Sequence, residues 1–423
     1  MSEHPSSYYA ASANGLDRCP ALTGDVKADI CVIGAGFTGV SAALHLAEAG
    51  FDVVLLEGER VGWGASGRNG GQICTAYNKS MDEIEAVVGR EGAQACWDVE
   101  VMAKNMIRER VKRHQIDCDL HWGYLHAAVK PGHMAWVRET IEEWARYGYT
   151  ETAEVDAKDT EDRVETKAYH GALWEKNAGH LHPLNYLLGL AKAARDAGVR
   201  IFEETPATHV KAGQAPKITT PTGTVAAKFV VAAGNGYLGK LVPQLYRRVM
   251  PVKSFMIATE PLGDERSRTL IRDNDAVVDS NNICNYFRLS ADGRMLFGGG
   301  ANYTGLEPRD VVSFMRPKML KIFPQLADVE LEFGWGGTLG VTLNRLPHIG
   351  KTGDTLFFAH GYSGHGVALA GIAGKLIADA VQGTADKFDV LARIKHQPFP
   401  GGPLRAPMLA TGMLYYKLKD LLS

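Results

Sequence analysis

The segment that most constrains the fold of this chain is a glycine-rich turn between two apolar runs near the N-terminus. The run Ile30–Ile33 leads into G-x-G-x-x-G at residues 34–39, and a helical pattern covers 40–48. A second apolar run, 53–56, stops at Glu57. This order predicts a strand, a tight turn, a helix and a second strand, which is the unit that binds the ADP half of a dinucleotide.

Each glycine of the motif has its own expected role. Gly34 permits the tight turn, Gly36 lets the backbone approach a pyrophosphate, and Gly39 lets the helix pack closely on the strand. The helix N-terminus then presents unpaired N–H groups to the phosphates. We expect Glu57 to accept hydrogen bonds from ribose hydroxyls. Its charge would repel a 2′-phosphate, so NADP is the least favoured dinucleotide.

Composition excludes several classes of protein. The 423 residues exceed one ordinary single-core domain, which predicts two domains. A net charge of −2 lacks the basic excess of a nucleic-acid binder. The sequence has no run of about 18 apolar residues, so no membrane span is predicted, and no signal peptide is indicated. The six cysteines are scattered, which fits neither a zinc site nor a disulfide framework. We therefore expect a cytoplasmic protein without a metal.

Patterns in the first half of the chain alternate between helix and strand. Apolar residues at helical spacing cover 81–146, interrupted by a predicted strand at 122–129. A second helix is predicted from Pro183 to Ala197. The apolar run Phe229–Gly234 is typical of a buried parallel strand, and we expect it to return to the first sheet.

The second half is richer in predicted strands. Alternating runs over 251–333 predict an antiparallel sheet, with one helix, 311–322, lying across it. A short strand at 355–360 is followed by a small-residue helix over 366–381. The tail ends in a predicted amphipathic helix over 408–422.

These patterns predict an α/β fold in which a Rossmann-like dinucleotide-binding domain is interleaved with an antiparallel-sheet, α+β substrate domain. Such interleaving separates flavoproteins from most NAD dehydrogenases. The predicted divisions are 1–26 for an N-terminal leader, 27–80, 180–235 and 335–385 for the dinucleotide-binding domain, 81–179 and 236–334 for the substrate domain, and 386–423 for a C-terminal tail.

A second glycine cluster follows Glu57. Seven of the eleven residues from Gly62 to Gln72 are small. A loop of this kind brings many backbone N–H groups close to a phosphate and a ring. Ser66 could add a hydroxyl to the pyrophosphate, and Arg68 and Asn69 offer side-chain donors. The alternative is a flexible turn without a ligand.

The two glycine clusters and several later motifs show that this chain resembles the D-amino-acid-oxidase-like family of FAD-dependent amine and amino-acid oxidoreductases. The markers span residues 27 to about 385, and they are G-A-G-F-T-G (34–39), Glu57, G-A-S-G-R-N-G-G-Q (64–72), V-V-A-A-G (230–234), W-G-G (335–337), R-L-P-H-I-G (345–350) and H-G-Y-S-G-H-G (360–366). The resemblance implies FAD as the cofactor. It also implies oxidation of a C–N bond, with hydride passing to flavin N5 and the imine then hydrolysed.

The predicted FAD-binding residues fall in four segments. They are Gly34, Ala35, Gly36, Phe37, Thr38, Gly39, Glu57, Gly58, Arg60, Gly64, Ala65, Ser66, Arg68, Asn69, Gly70, Gly71, Gln72, Ala233, Gly234, Gly361, Tyr362, Ser363, Gly364, His365, Gly366 and Val367. The last segment could equally be a plain helix N-terminus capped by Ser363. Some relatives attach flavin through a cysteine late in the chain. The last cysteine here is Cys284, so we expect non-covalent FAD.

The substrate pocket is expected in the second domain. Tyr286 and Arg288 alternate along a predicted strand and so share a face, which could line the pocket or be an ordinary strand face. Arg288 could hold a carboxylate in a bidentate contact. Trp335 and Tyr362 are candidate aromatic walls for an aliphatic amine. His365 could contact the flavin, shape the pocket, or simply stand at a helix start.

The resemblance is strongest to family members that oxidise polyamine derivatives, so the expected substrate is γ-glutamylputrescine or a similar amine. The alternative is a small secondary amine or imino acid of the iminodiacetate or sarcosine type. Amino-acid oxidases of the family place an arginine near the segment equivalent to 338–347, where this chain offers only Arg345. O₂ or another electron acceptor completes the reaction. An NAD-dependent dehydrogenase and a non-catalytic flavin-binding protein are rivals from other classes, and the oligomeric state is open.

Overall fold

The computed structural model describes residues 3–302, 307–402 and 405. In these residues the helices are α1 (Tyr8–Ala11), α2 (Phe37–Glu48), α3 (Met81–Arg113), α4 (His133–Ala145), α5 (Ala157–Arg163), α6 (Pro183–Asp196), α7 (Pro243–Tyr246), α8 (Asp264–Leu270), α9 (Val311–Ile322), α10 (Gly366–Val381) and α11 (Asp386–Ala392). The helix predicted over 408–422 lies outside the described residues.

The strands form three sheets. They are β1 (Gly24–Lys27), β2 (Ile30–Ile33), β3 (Val53–Leu56), β4 (Gln72–Ile73), β5 (His121–Ala127), β6 (Thr152–Asp156), β7 (Gly171–His180), β8 (Arg200–Phe202), β9 (His209–Lys211), β10 (Lys217–Thr219), β11 (Gly223–Ala226), β12 (Phe229–Ala232), β13 (Met250–Thr259), β14 (Ala276–Asp279), β15 (Tyr286–Leu289), β16 (Met295–Asn302), β17 (Leu331–Val341), β18 (His348–Thr352) and β19 (Leu356–His360).

The first sheet has six strands in the order β18-β19-β12-β2-β3-β8. From β19 to β8 all neighbours are parallel, and only β18 runs antiparallel to β19. Every residue of β2 and β3 is buried, as expected for a parallel sheet covered on both faces. The predicted return of 229–234 to the first sheet is confirmed, because β12 pairs with β2.

The second sheet follows the order β17-β13-β16-β15-β14-β5-β7-β4, with β6 paired to β7. Its pairs are antiparallel except for β14 with β5. The long strand β17 pairs with β13 from Leu331 to Val341, so the boundary predicted at residue 335 falls inside a strand of this sheet. Likewise, β4 joins this sheet although we expected 27–80 in the other domain.

The smaller third sheet, β1-β11-β10-β9, packs beside the parallel one. Helices α2 and α10 lie against each other so closely that a Cβ on Gly374 would come within 2.5 Å of the Thr38 carbonyl oxygen. Within the part of the chain that the structure describes, no helix combines the length and apolar character needed to cross a membrane. The α/β fold expected from the sequence is confirmed.

The N-terminal leader packs against the rest of the protein. Its single described turn of helix, α1, begins after Ser7, whose hydroxyl accepts the Ala10 N–H. Tyr9 is fully buried and Tyr8 nearly so. The Tyr8 hydroxyl donates to Asp292 at 2.8 Å, so the leader packs against the antiparallel domain.

Candidate active site

A cleft of about 380 Å³ lies along the carboxyl edge of the parallel sheet. This edge is where open α/β sheets bind their ligands. It is lined by residues at the ends of β2 and β3 and by residues that follow β2, β3, β8, β12 and β19. They are Ile33, Gly34, Ala35, Gly36, Phe37, Thr38, Leu56, Glu57, Gly58, Glu59, Pro206, Ala207, Ala233, Gly234, Asn235, Tyr362, Ser363, Gly364, Gly366 and Val367. The loop after Glu59 supplies Trp63, Gly64, Ala65, Ser66 and Asn69, and the remaining wall comes from Tyr237, Leu238, Leu241, Leu339, Gly340 and Ala370.

The glycine motif has the close approaches that its spacing predicts. Gly34 has φ +101°, and a Cβ there would lie 3.1 Å from the backbone of Ala233. A Cβ on Gly39 would lie only 1.9 Å from the Gly34 carbonyl oxygen. Gly36 is the N-cap of α2 and has no side chain to cap the helix. The helix N-terminus therefore opens onto the cleft, which fits a pyrophosphate.

Glu57 stands at the end of β3 and organises the same turn. Its carboxylate accepts the Ala35 N–H at 2.7 Å and the Glu59 N–H at 3.0 Å. Burial raises the pKa of Glu57, and these backbone hydrogen bonds oppose that rise. A carboxylate at this position, with the glycine turn beside it, fits the ribose of the ADP half of FAD.

The loop 62–72 is held rigidly. Asn69 donates to the carbonyls of Ala65 and Ser66 at 2.9 and 3.0 Å, and its own oxygen accepts the Gly71 N–H at 2.8 Å. The Ser66 hydroxyl accepts the Phe37 N–H at 3.0 Å, which brings it to the start of α2. These hydrogen bonds order the backbone of the loop, and its contact with a ligand stays a prediction.

Two basic residues predicted to bind cofactor have protein partners. Arg60 forms an ion pair with Glu203 at 3.0 Å and does not line the cleft. The Arg68 guanidinium lies 4.2 Å from the Trp63 ring centroid and donates to the Trp63 carbonyl. Its Nη2 is buried and has no acceptor within the described residues, so a bound group could satisfy it. The other predicted residues that do not line the cleft are Gly39, Gly70, Gly71, Gln72, Gly361 and His365.

Sequence reasoning missed part of the cleft wall. Trp63 and Tyr237 both line it and pack edge-to-face, with 5.8 Å between their ring centroids. Pro206 and Asn235 follow strands of the parallel sheet, so the rule that ligands bind at the carboxyl edge could have found them. Leu339 comes from the other sheet, and no local signal predicts it.

The turn before α10 has the backbone of a strained binding loop. Ser363 has φ +52°, an uncommon value for a residue with a side chain. Its hydroxyl donates to the Gly361 carbonyl at 3.2 Å and does not cap α10, whose N-cap is His365. The simple capping alternative for Ser363 is therefore wrong. Tyr362 lines the cleft, with its hydroxyl 2.6 Å from the Thr38 hydroxyl.

The structure corrects our expectation for Arg288. Its side chain is buried, and its guanidinium donates to three backbone carbonyls, a tyrosine hydroxyl and a histidine nitrogen. An arginine has only five N–H donors, so none remains for a substrate carboxylate. Trp335 is buried too, and its Nε1 donates to the Arg68 carbonyl at 3.0 Å, so it supports the loop from below.

Tyr286 lies against the glycine loop, and its place in a substrate pocket stays a prediction. Its ring occupies the space left by two glycines, because a Cβ would meet that ring at 2.8 Å from Gly70 and at 2.1 Å from Gly298. Its hydroxyl is 3.3 Å from the Ser254 hydroxyl. Tyr286 therefore connects the glycine loop to the antiparallel sheet.

Tyr286 belongs to a group of four partly exposed side chains. Cys284 interacts electrostatically with Cys74 and Tyr286, and His365 contacts the Ala76 carbonyl two residues after Cys74. Cys74, Cys284, Tyr286 and His365 each keep part of their surface accessible. Burial nevertheless raises the pKa of Cys74 to about 11 and that of Cys284 to about 12, and it lowers the pKa of His365 to about 4. These four side chains are thus surrounded by protein and still partly accessible. We call these four residues the recess.

A buried charged cluster adjoins the recess. His126 Nε2 lies 2.9 Å from a Glu175 oxygen, and Lys104 Nζ lies 3.1 Å from a Glu100 oxygen. Lys104 also donates at 2.7 Å to Thr75, which is next in sequence to a recess residue. Burial raises the pKa of Glu100. Burial also acts to raise the pKa of Glu175, but the interactions with His126, Lys104 and Thr75 together outweigh it and the pKa is lowered, so Glu175 keeps its negative charge.

Arg345 acts electrostatically on the recess. Its positive charge opposes the rise in the pKa of Cys284, although burial has the larger influence. Arg345 has φ +63°, a strained conformation that is common at functional sites. Within residues 3–302, 307–402 and 405 its guanidinium has neither an ion pair nor a hydrogen bond, in contrast to that of Arg288.

Comparison with known proteins gives consistent matches. Residues 29–380 match the family described as FAD dependent oxidoreductase. The chain is 44% identical to gamma-glutamylputrescine oxidoreductase of Escherichia coli (strain K12), with 100% of both chains covered. It is 40% identical to the probable oxidoreductase OrdL of Haemophilus influenzae, over 99% of this chain and 98% of that protein.

A solved structure shows the same fold. Glycine oxidase from Geobacillus kaustophilus superposes with a TM-score of 0.75 at 21% identity, covering 88% of this chain and 99% of the other. At this identity the similarity concerns the fold alone. The expected architecture of an interleaved flavin-binding fold is confirmed.

Proposed function

This chain belongs to the family of FAD dependent oxidoreductases, and on that premise we propose that it oxidises the C–N bond of an amine, with γ-glutamylputrescine or a related polyamine derivative as its best substrate. The observation that carries this proposal is the 44% identity to the Escherichia coli relative across the whole of both chains. The name of that relative states gamma-glutamylputrescine.

The cleft supplies what FAD requires from the protein. The α2 N-terminus would hold the pyrophosphate and Glu57 the ribose, and Tyr362, Ser363 and Gly364 before α10 line the same cleft. When bound, FAD supplies the acceptor for the hydride equivalent that leaves the carbon next to the amine nitrogen. The chain contributes mainly by positioning the amine.

His365 is suited to accept a hydrogen bond from the amine. Because burial lowers its pKa to about 4, the ring is neutral near pH 7. Its Nδ1 lies 3.2 Å from the Ala76 carbonyl oxygen, which can only accept, so Nδ1 carries the hydrogen. Nε2 is then an acceptor. We propose that Nε2 accepts a hydrogen from the substrate nitrogen.

The charged residues near the recess favour a substrate that carries an ammonium group and, at some distance from it, a carboxylate. The negative charge of Glu175 acts on His365 of the recess, and it would also attract an ammonium group there. Arg345 takes the role that we first gave to Arg288, and its guanidinium can hold a carboxylate in a bidentate contact. A γ-glutamyl polyamine carries both charges, whereas a simple diamine lacks the carboxylate.

The proposal is tested by an anaerobic flavin-reduction screen. The purified holoprotein is mixed with γ-glutamylputrescine, putrescine, spermidine, sarcosine or iminodiacetate, and the loss of flavin absorbance is followed. We expect the γ-glutamyl substrate to reduce the flavin fastest. Faster reduction by sarcosine or iminodiacetate would instead establish the small-secondary-amine alternative, and no reduction by any of them would favour a non-catalytic protein.

The role of Arg345 has its own test. We expect Arg345→Met to raise KM for γ-glutamylputrescine about tenfold or more, and to leave KM for putrescine within about twofold, because only the former carries a carboxylate. Arg138→Met is the matched control, since Arg138 pairs with Glu154 at the surface. An equal change in KM for both amines would remove Arg345 from substrate recognition.

A further inference from the structure

Arg288 is a buried cation without a carboxylate partner. It is 2% exposed, and no carboxylate oxygen among the described residues lies within 4.0 Å of its guanidinium. Its nearest acceptors are all neutral. Nε donates to the Gly70 carbonyl at 2.8 Å, Nη1 to the Leu289 carbonyl at 2.9 Å, and Nη2 to the Leu181 carbonyl at 2.9 Å. Such a group is costly to bury unless its hydrogen bonds are complete.

Two side chains complete the set. Nη2 also donates to the Tyr9 hydroxyl at 3.2 Å, and Nη1 lies 3.5 Å from His180 Nδ1. Because arginine can only donate, His180 must accept there, and its Nε2–H then donates to the Asn274 carbonyl at 2.8 Å. Burial holds the pKa of His180 well below its usual value, consistent with this neutral ring.

The guanidinium thus joins segments that are far apart in the chain. Gly70 belongs to the loop 62–72, Leu181 to the connection between β7 and α6, and Tyr9 to the leader. Leu181 also donates its N–H to the Gly71 carbonyl at 2.9 Å. A Cβ on Gly71 would meet the Leu181 oxygen at 2.0 Å, so these segments are in direct contact around Arg288.

The contacts continue from Gly70 to the wall of the FAD cleft. The Gly71 N–H donates a hydrogen bond to the side-chain oxygen of Asn69. The Asn69 side-chain nitrogen in turn donates to the carbonyl of Ser66. Ser66 in turn accepts the N–H of Phe37 at the start of α2. The position of Gly70 therefore sets the position of groups that face the pyrophosphate.

The leader reaches the same loop by a second route. The Tyr9 ring is fully buried and packs edge-on against Trp335, with 5.4 Å between the ring centroids. Trp335 donates to the carbonyl of Arg68 in the loop. Tyr9 therefore touches both supports of the loop, the guanidinium and the indole.

We propose that Tyr9 and Arg288 are positioning residues for the cofactor, and that the N-terminal leader acts through them as a strap that holds the loop 62–72 in its FAD-binding shape. The strap makes FAD retention depend on a segment that does not touch the cleft. The inference rests on the family's cofactor and is independent of the proposed amine substrate.

The test compares two neighbouring tyrosines of the leader. Tyr9→Phe removes only the hydroxyl that Arg288 uses, whereas Tyr8→Phe removes a hydroxyl bonded to Asp292. The Kd of the apoprotein for FAD is measured by flavin fluorescence, and thermal unfolding of each apoprotein is recorded. We expect Tyr9→Phe to raise Kd about tenfold and Tyr8→Phe to change it less than twofold, although both lower Tm.

A double-mutant cycle separates positioning from general loss of stability. In an Arg288→Lys background, Tyr9→Phe should have little further effect on Kd, because the lysine lacks the planar fork that reaches both groups. Equal Kd changes in Tyr8→Phe and Tyr9→Phe, or additive effects of Tyr9→Phe and Arg288→Lys, would overturn the proposal. Tyr9→Phe alone decides the matter if Arg288→Lys fails to fold.

Discussion

Replacing Gly39 by alanine is the most direct test of the dinucleotide turn. Alanine is ordinarily favoured over glycine inside a helix by about 1 kcal/mol. Here, however, the added Cβ would lie 1.9 Å from the Gly34 carbonyl oxygen and 3.2 Å from Val32 Cγ1. The oxygen belongs to the backbone of the turn and cannot rotate away. The separation must widen beyond 3.0 Å, so α2 and the turn must move apart.

The size of the effect follows from these distances. Overpacking of this kind costs about 1–3 kcal/mol, and a clash with backbone lies at the upper end. After the gain in helix propensity, we expect Gly39→Ala to lower the free energy of unfolding by about 2 kcal/mol. A similar loss in binding would raise the Kd for FAD about 30-fold, because the displaced turn faces the pyrophosphate. Urea unfolding of the apoprotein and fluorescence titration with FAD measure both quantities.

Gly371→Ala provides the matched control. Gly371 also lies inside a buried helix, α10, but its added Cβ would meet only the flexible end of Met106, at 3.1 Å. We expect stability within about 0.5 kcal/mol of the parent and an unchanged Kd. If Gly39→Ala is as stable as Gly371→Ala and binds FAD as tightly, close packing of α2 on the turn is not what Gly39 provides.

Three other expectations concern the cofactor and the response to acid. Glu57→Gln should raise the Kd for FAD about tenfold, because charge-assisted hydrogen bonds contribute about 1.5–3 kcal/mol, and an unchanged Kd would exclude the ribose role. Acid precipitation should leave yellow flavin in the supernatant, whereas a coloured pellet would reveal a covalent link. Burial lowers the pKa of His348 to about 2, of His360 to about 3 and of His396 to about 4, all from 6.5. As pH falls below about 6.5, these histidines become protonated in the unfolded chain before they do so in the folded protein. The free energy of unfolding should therefore decrease by up to about 1.4 kcal/mol for each histidine and each pH unit. His396→Phe should flatten that slope in urea unfolding between pH 6.5 and 4.5, and an unaltered slope would contradict the assignment.

The sequence predicted those helices and turns whose ends are determined by neighbouring residues in the chain. The helices at 311–322 and 366–381 have the predicted bounds, because apolar period and flanking turns mark both ends. α2 begins at Phe37, three residues before the helical pattern starts, since its first turn carries the small residues of the glycine motif. The motif itself predicted which backbone atoms come close, because only glycine allows those approaches.

Features that depend on contacts between residues far apart in the sequence were not predicted. Alternation placed Tyr286 and Arg288 on one face, but the tertiary contacts of Arg288 decide that it supports a loop and does not face a substrate. The sheet to which Trp335 belongs depends on pairing with β13, about 80 residues earlier, and not on its own pattern. Residues such as Tyr237 reach the cleft only because the loops of two sheets meet there.

The strand order of the parallel sheet has a consequence for how the chain folds during synthesis. β2 lies in the middle of that sheet, but its neighbour β12 is about 200 residues further along, and β19 is more than 120 residues beyond β12. At about 5–20 residues per second, a ribosome needs about 10–40 seconds to deliver β12 after β2. Throughout that time one edge of β2 has no native partner, and β12 then lacks its own neighbour β19 until the chain is more than 120 residues longer. An unpaired strand edge is therefore exposed while most of this sheet is being synthesised.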